Sequence, residues 1–294
     1  TDQRLAATGA ADVILGGHEH ALLQSLAGRT PVFKAGSDAR VLARIDLVFN
    51  AQIKRLKHID WAMLPVTNAV ADDPAVAEVV AGYERKLAAL LDQPLGETAV
   101  LLDARQEANR SRETNLGSWI ADVYRARTGA DAAIVNGGSI RSNTTYGPGR
   151  LSKRDILSIL PFENPIVKLE VPGRVLRQAI EHGLSEVHVS SESGKFPQVS
   201  GIRYRYDAVR PAGSRLLEIT VSGSPLADDQ RYAVATSSYL AEGHDGYTML
   251  KGLRYLIAPE NALSESAEVI EALAAARTIS PATDGRIERA DSPH

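Results

Sequence analysis

Apolar residues recur at two different periods along the 294-residue chain, and the period changes with position. Between Asp73 and Pro94, Val76, Val79, Val80, Tyr83, Leu87, Leu90 and Leu91 follow the spacing of one helix face. Asp73 can cap this helix, Pro74 suits its first position and Pro94 lies just past its end. The pattern therefore predicts a helix over 74–92. Before it, "DVIL" at 12–15, "TPVFKAG" at 30–36 and "RIDLVF" at 44–49 read as short strands. Beyond residue 97 the two periods alternate. "TNLGSWIADVYRART" predicts a helix stopped by Gly129, "DAAIV" a strand, and "SKRDILSIL" a short helix opened by a Ser-x-x-Asp cap. "PIVKLEV" is strand-like and "GRVLRQAIEHG" is helical up to Gly183. "GIRYRYD", "LLEITVSG" and "RYAVATSSYL" then alternate as strands, several of them antiparallel, while "SSESGK" at 190–195 reads as a surface loop.

These patterns divide the chain. A strand-rich piece at 1–65 is small for an independent core and resembles the end of a domain. The 66–96 segment carries the connecting helix, and 97–290 forms an α/β domain with mixed sheets. No internal repeat is present. A chain with 44% hydrophobic and 23% charged residues is long enough to bury a real core. A net charge of -3 argues against a nucleic-acid polymer or an anionic membrane as main partner. No apolar run reaches transmembrane length. The absence of cysteine leaves His, Asp, Glu and Asn as the available metal ligands, and fixes no compartment. The first residue is Thr, so an upstream region is expected to precede it.

Four stretches could carry chemistry. In "GGHEH", residues two apart in extended chain point the same way, so His18 and His20 can present both imidazoles to one ion. Two neighbouring surface histidines are the plainer reading, and no other histidine is an obvious third ligand. "NGGSIR" follows a buried strand. Asn136 can donate and accept, Gly137 and Gly138 permit close backbone approach, and Arg141 offers a fork to an anion. A strand-ending turn beside an ordinary arginine explains it equally well. Phe162 in "LPFENP" is a core residue or a stacking surface. Tyr239 is expected at the end of a strand in "SSYLAEGHDGYTML", and Asp245 either builds the glycine-rich loop or binds sugar hydroxyls.

Taken in order, "ADVILGGHEH", "RETNLGSWIADVYRARTGADAAIVNGGSIR", "LSKRDILSILPFENPIVKLEVPGRVLRQAIEHG" and "YLAEGHDGYTML" resemble the 5'-nucleotidase family, over nearly the whole chain. The resemblance implies the tail of a two-metal phosphoesterase domain, a connecting helix about which the second domain rotates, and a C-terminal substrate-binding domain. It makes His18 and His20 metal ligands, although His20 stands where many members have Asn or Gln. Two divalent ions, Zn, Mn or similar, would be held mostly by motifs preceding Thr1. Arg110 and Arg141 match arginines that bind the anionic or ribose part of the substrate. Asn136 and Gly138 lie in the motif that contacts the nucleoside, Phe162 and Tyr239 match a base-holding aromatic pair, and Asp245 matches a ribose-binding carboxylate. Most members have Phe at the position of Tyr239, and Glu242 and His244 depart from the commoner Asn or Thr and Gly. A periplasmic or extracellular location is also implied.

Two readings follow. The parent protein is expected to be a 5'-nucleotidase, with a 2',3'-cyclic phosphodiesterase or UDP-sugar hydrolase as the alternative. The chain by itself is expected to bind nucleotides or nucleosides without turning them over.

Overall fold

The computed structural model describes residues 2–18, 20–26, 30–187 and 193–291. Its contacts separate two compact units, Thr1–Tyr83 and Glu84–His294. The first contains α1 (Asp2–Thr8), β1 (Ile14–Gly16), β2 (Leu22–Ser25), β3 (Val32–Ala35), β4 (Val41–Asn50) and β5 (Arg55–Pro65). β3 lies between β1, its parallel neighbour, and β2, its antiparallel one. β4 and β5 form a long antiparallel hairpin. Its first strand outruns the expected 44–49 at both ends, and its second, whose polar and apolar residues alternate imperfectly, was not expected. The divide between the units falls inside α2 (Pro74–Leu91). Asp73 caps α2, its carboxylate accepting from the Ala75 and Val76 amides at 2.9 and 3.1 Å. None of its residues is buried, and Val76, Val79 and Leu90 of the apolar stripe are exposed.

The second unit begins with β6 (Pro94–Thr98), β7 (Leu102–Asp103), α3 (Gln106–Asn109), α4 (Asn115–Thr128) and β8 (Ala132–Asn136). Next come β9 (Thr145–Tyr146), β10 (Gly149–Ser152), α5 (Lys153–Ile159), β11 (Ile166–Pro172) and α6 (Gly173–Gly183). Then follow β12 (Pro197–Ser200), β13 (Ile202–Tyr206), β14 (Leu216–Val221), β15 (Ser224–Pro225), β16 (Arg231–Ser237) and α7 (Ser238–Ala241). β17 (Arg254–Ile257), α8 (Glu265–Ala276), β18 (Thr278–Ile279) and β19 (Ile287–Arg289) complete it. Its centre is a five-stranded sheet in the order β12-β8-β16-β11-β17. β8 and β16 are parallel, and the remaining pairs are antiparallel. β13 and β14 belong to a second, four-stranded sheet.

The period of two explains why β8 is buried along its whole length. Ala132 and Ile134 face a core shared with Leu176 and Ile180 of α6, whereas Ala133 and Val135 face one shared with Leu116 and Ile120 of α4. The helix signals read from the sequence are made as expected: Gly129 ends α4 at φ 57°, and Ser152 and Asp155 form a reciprocal cap on α5. Thr114 adds a cap that was not read, its hydroxyl accepting from the Gly117 amide at 3.0 Å at the start of α4. One expectation is corrected: the strand at 231–240 stops at Ser237, and Tyr239 lies on the short helix α7. The Ser237 hydroxyl caps that helix by accepting from the Leu240 amide at 3.4 Å, which turns the chain out of the sheet. α8 was not anticipated from the sequence. Among the described residues no helix is long and apolar enough to cross a membrane.

Candidate functional site

The register of the central sheet gathers the candidate residues. Asn136 pairs with Pro197, and Ile166 with Ser237, so the ends of β8 and β16 and the starts of β11 and β12 share one edge. Gly137 and Gly138 follow β8, Tyr239 follows β16, Phe162 precedes β11 and Gly194 precedes β12. The carboxyl ends of adjacent parallel strands are where open α/β sheets place their ligand crevices.

At that edge Asp245 is the hub. The Tyr239 hydroxyl donates to one carboxylate oxygen at 2.9 Å, and the Asn136 amide donates to the other at 2.9 Å. Three left-handed positions within the four residues 243–246 aim this carboxylate. Gly243 has φ 88°, Asp245 itself φ 51°, and Gly246 φ 81°. A left-handed aspartate is uncommon and persists only where its surroundings hold it. His182 supplies that hold, its Nε2–H donating to the Asp245 carbonyl at 2.9 Å. A side chain on Gly246 would sit 2.8 Å from the same ring, and Tyr247 meets it edge-on at 5.0 Å. Burial pushes the Tyr239 phenol up to about 12, and donation to the Asp245 carboxylate adds to the shift. Tyr239 therefore remains a protonated donor at neutral pH. One face of its ring is stacked on His244, with centroids 4.6 Å apart and planes 17° from parallel.

Gly138 joins this hub through Gly194. Its amide donates to the Gly194 carbonyl at 2.9 Å, and a Cβ on Gly138 would lie 2.7 Å from the Gly194 Cα. Gly194 in turn borders the Asp245 carboxylate. Arg141 and Phe162 form a second pair, the guanidinium lying 5.9 Å from the ring centroid. Phe162 is 44% exposed, so a large part of the ring is open to a stacking partner.

Arg110 is brought in by backbone packing. A Cβ on Gly137 would come within 2.1 Å of the Asn109 carbonyl, so the glycine lets the 109–110 segment lie directly on the turn after β8. That segment is fastened from β12 by Gln198, which is wholly buried. Its side-chain amide donates to the carbonyls of Asn109 at 3.0 Å and Arg112 at 2.7 Å, and its oxygen accepts from the Thr114 amide at 3.3 Å. Sequence reasoning missed Gln198 and His182. The available signal for Gln198 was an uncharged amide in the short run "FPQVS"; His182 gave none, because its partner is a backbone carbonyl 63 residues away.

His18 and His20 belong to the other unit. Both are exposed, His20 at φ 57°, its amide donating to the Gly17 carbonyl at 3.0 Å. Glu19 between them lies outside the described residues. Two imidazoles are suitable donors for a borderline divalent ion. Among the described residues, however, no group of three or more His, Asp or Glu side chains comes together to complete a metal site. The donor set fits part of a metal centre and not the whole of one.

One end of the central sheet of this mixed α/β domain thus gathers a carboxylate, glycine-rich turns and two arginine-bearing segments, the place where open α/β sheets form ligand crevices. The 5'-nucleotidase C-terminal domain profile matches residues 94–252. The trifunctional nucleotide phosphoesterase protein YfkN of Bacillus subtilis (strain 168) is 32% identical over 254 residues, covering 81% of this chain and 17% of the relative. A 5'-nucleotidase of Diplobatis ommata is 30% identical, over 87% of this chain and 47% of its own length. The crystal structure of a 5'-nucleotidase precursor from Thermus thermophilus superposes with a TM-score of 0.78 at 28% identity, covering 96% of this chain and 60% of that one. The chain belongs to the 5'-nucleotidase family, and it spans about half or less of the length of these first two curated relatives.

Proposed function

We propose that the second unit binds the nucleoside half of a nucleotide and that the parent protein removes the 5'-phosphate. The observation that carries this reading is Asp245, whose two oxygens each accept one fixed bond and keep lone pairs for the paired hydroxyls of a ribose. A base would stack between the open part of Phe162 and the face of Tyr239 not taken by His244. Such stacking is worth about 1–3 kcal/mol per base and tolerates any base, which suits a broad substrate range. Arg110 and Arg141 would give charge-assisted bonds to the anionic part. Asn136 and Gly138 would border the nucleoside, the glycine by letting Gly194 pack against the turn beside Asp245.

Among the groups of this chain the work is binding and orientation. Tyr239 and Asn136 keep Asp245 aimed, and the arginines fix the direction in which the phosphate leaves the pocket. His18 and His20 would supply neutral nitrogen ligands to the metal pair, whose other ligands would come from an upstream phosphoesterase region. Two divalent ions there would polarise the phosphate and activate a water. The chain alone is then a binder without turnover, and the parent protein is periplasmic or extracellular, in keeping with venom 5'-nucleotidases among its relatives.

Calorimetry with adenosine tests the binding half. Replacing both Phe162 and Tyr239 by Ala should abolish measurable affinity, and survival of binding would defeat the reading. Phosphate release from AMP with added Mn²⁺ or Zn²⁺ tests the other half. Turnover is expected from the full-length gene product and not from this chain, and turnover by this chain alone would overturn the division of labour.

A further inference from the structure

A buried acid outside the site holds the segment between the two aromatic residues. Glu265 is the first residue of α8 and is 0% exposed. Its backbone amide donates to the Asn164 carbonyl at 2.9 Å, and its carboxylate accepts from the Asn164 side-chain amide at 3.4 Å. The Tyr124 hydroxyl of α4 donates to the other carboxylate oxygen. The neighbouring residues reinforce the joint: the Ile166 amide donates to the Leu263 carbonyl at 3.0 Å, and Pro165 bridges Ser264. On its other side the same stretch reaches α7, because the Pro165 carbonyl accepts from the Ser238 amide at 2.8 Å. Phe162 lies two residues before Asn164, and Tyr239 lies one residue after Ser238.

We infer that Glu265 is a positioning residue that, through Asn164 and Pro165, fixes the loop carrying Phe162 against the turn carrying Tyr239. This rests on the reading of those two rings as the base-holding pair. An apolar residue would fill the space without the cost of burying a carboxylate, but it could not grip Asn164. The partners of the carboxylate, Tyr124 and Asn164, are neutral donors, and burial pushes its pKa up to about 7. The start of a helix favours an acid whenever the group is ionised. Asn164 is thus held whether the acid is charged or neutral.

The test uses the whole chain and two variants, Glu265→Leu and Glu265→Gln. Glutamine can still accept from Asn164 and donate to the Tyr124 oxygen, so exchange at the joint and adenosine affinity should match the wild type. Hydrogen exchange resolved by NMR reads the joint without ligand. In Glu265→Leu the Ile166 and Ser238 amides should exchange at least about tenfold faster while those of α6 stay unchanged, the local opening expected when one bracing contact is lost. Unchanged exchange at both amides, or equal acceleration in α6, would overturn the assignment. Adenosine calorimetry then reads the consequence. Affinity should fall about tenfold in Glu265→Leu, yet fall no further when the change is made on a Phe162→Ala background. Additive losses would show that Glu265 acts on affinity independently of Phe162 and would also overturn it. If Phe162→Ala itself leaves affinity intact, the base-holding reading fails while the exchange result still decides what Glu265 holds. Should the leucine variant not fold, Asn164→Ala removes the same side-chain bond and carries the same expectations.

Discussion

Replacing Gln198 by Leu preserves the shape of a wholly buried side chain and deletes its polar end. Three backbone groups lose their partner: the carbonyls of Asn109 and Arg112 and the amide of Thr114. Water cannot take over the buried bonds to Asn109 and Thr114, because Gln198 packs so closely on α4 that a Cβ at Gly117 would sit 2.6 Å from it. Arg112 is exposed, and its carbonyl can turn to solvent. A buried group left unmade costs about 1–3 kcal/mol. The bond to Thr114 is the longest of the three and is weighted at the low end. With some relaxation of the 109–114 loop, the two buried groups set the expected loss at roughly 2–4 kcal/mol. That is a large share of the roughly 5–15 kcal/mol that holds a domain folded. The measurement is urea unfolding followed by Trp119 fluorescence in a Trp61→Phe background, with the midpoint falling at constant slope. Gln198→Glu should be worse than Leu, because its carboxylate would face two carbonyl oxygens that Gln198 now satisfies. A loss under about 1 kcal/mol for Leu, or a glutamate variant as stable as the wild type, would refute the claim that the amide donors fasten the Arg110 segment.

Two further outcomes follow from the titrating groups. The Tyr239 phenol, pushed up to about 12 by burial and the neighbouring Asp245 carboxylate, should titrate at lower pH in Asp245→Asn, where burial remains but the charge is gone. Ultraviolet difference titration against Tyr239→Phe checks this, and an unmoved curve would exclude the carboxylate as a cause. For Glu265, burial raises the folded value from the ordinary 4.5 to about 7, so the native state binds a proton that the unfolded chain has released. Its contribution is fully present below pH 4.5 and is lost as pH rises through about 7, by at most about 3 kcal/mol. Glu265→Gln should therefore gain on the wild type between about pH 5 and pH 8 in urea unfolding, and a pH-independent gap would contradict the raised value.

Local chemistry determined much of this protein before any tertiary contact was considered. The caps at Asp73 and Ser152 and the stop at Gly129 involve residues within about four positions of one another, so short motifs suffice to read them. Family membership was likewise legible, because ordered motifs carry it. What the sequence could not state was which distant groups satisfy each other. Tyr239 was expected on a strand and sits on a short helix, since the Ser237 hydroxyl cap outweighs the β preference of the run that follows it. Asp245 could have been only a turn-builder. It becomes a hub because the pairing of β8 beside β16 brings Asn136 to it across 109 residues of chain. Gln198, His182 and Glu265 gave little or no signal, because the partners of each lie at least 63 residues away and are fixed only by sheet register and close packing of glycine. Periodicity and capping are encoded residue by residue. The aim of a side chain at the end of a sheet is set by how the strands pair, and only the folded chain decides that.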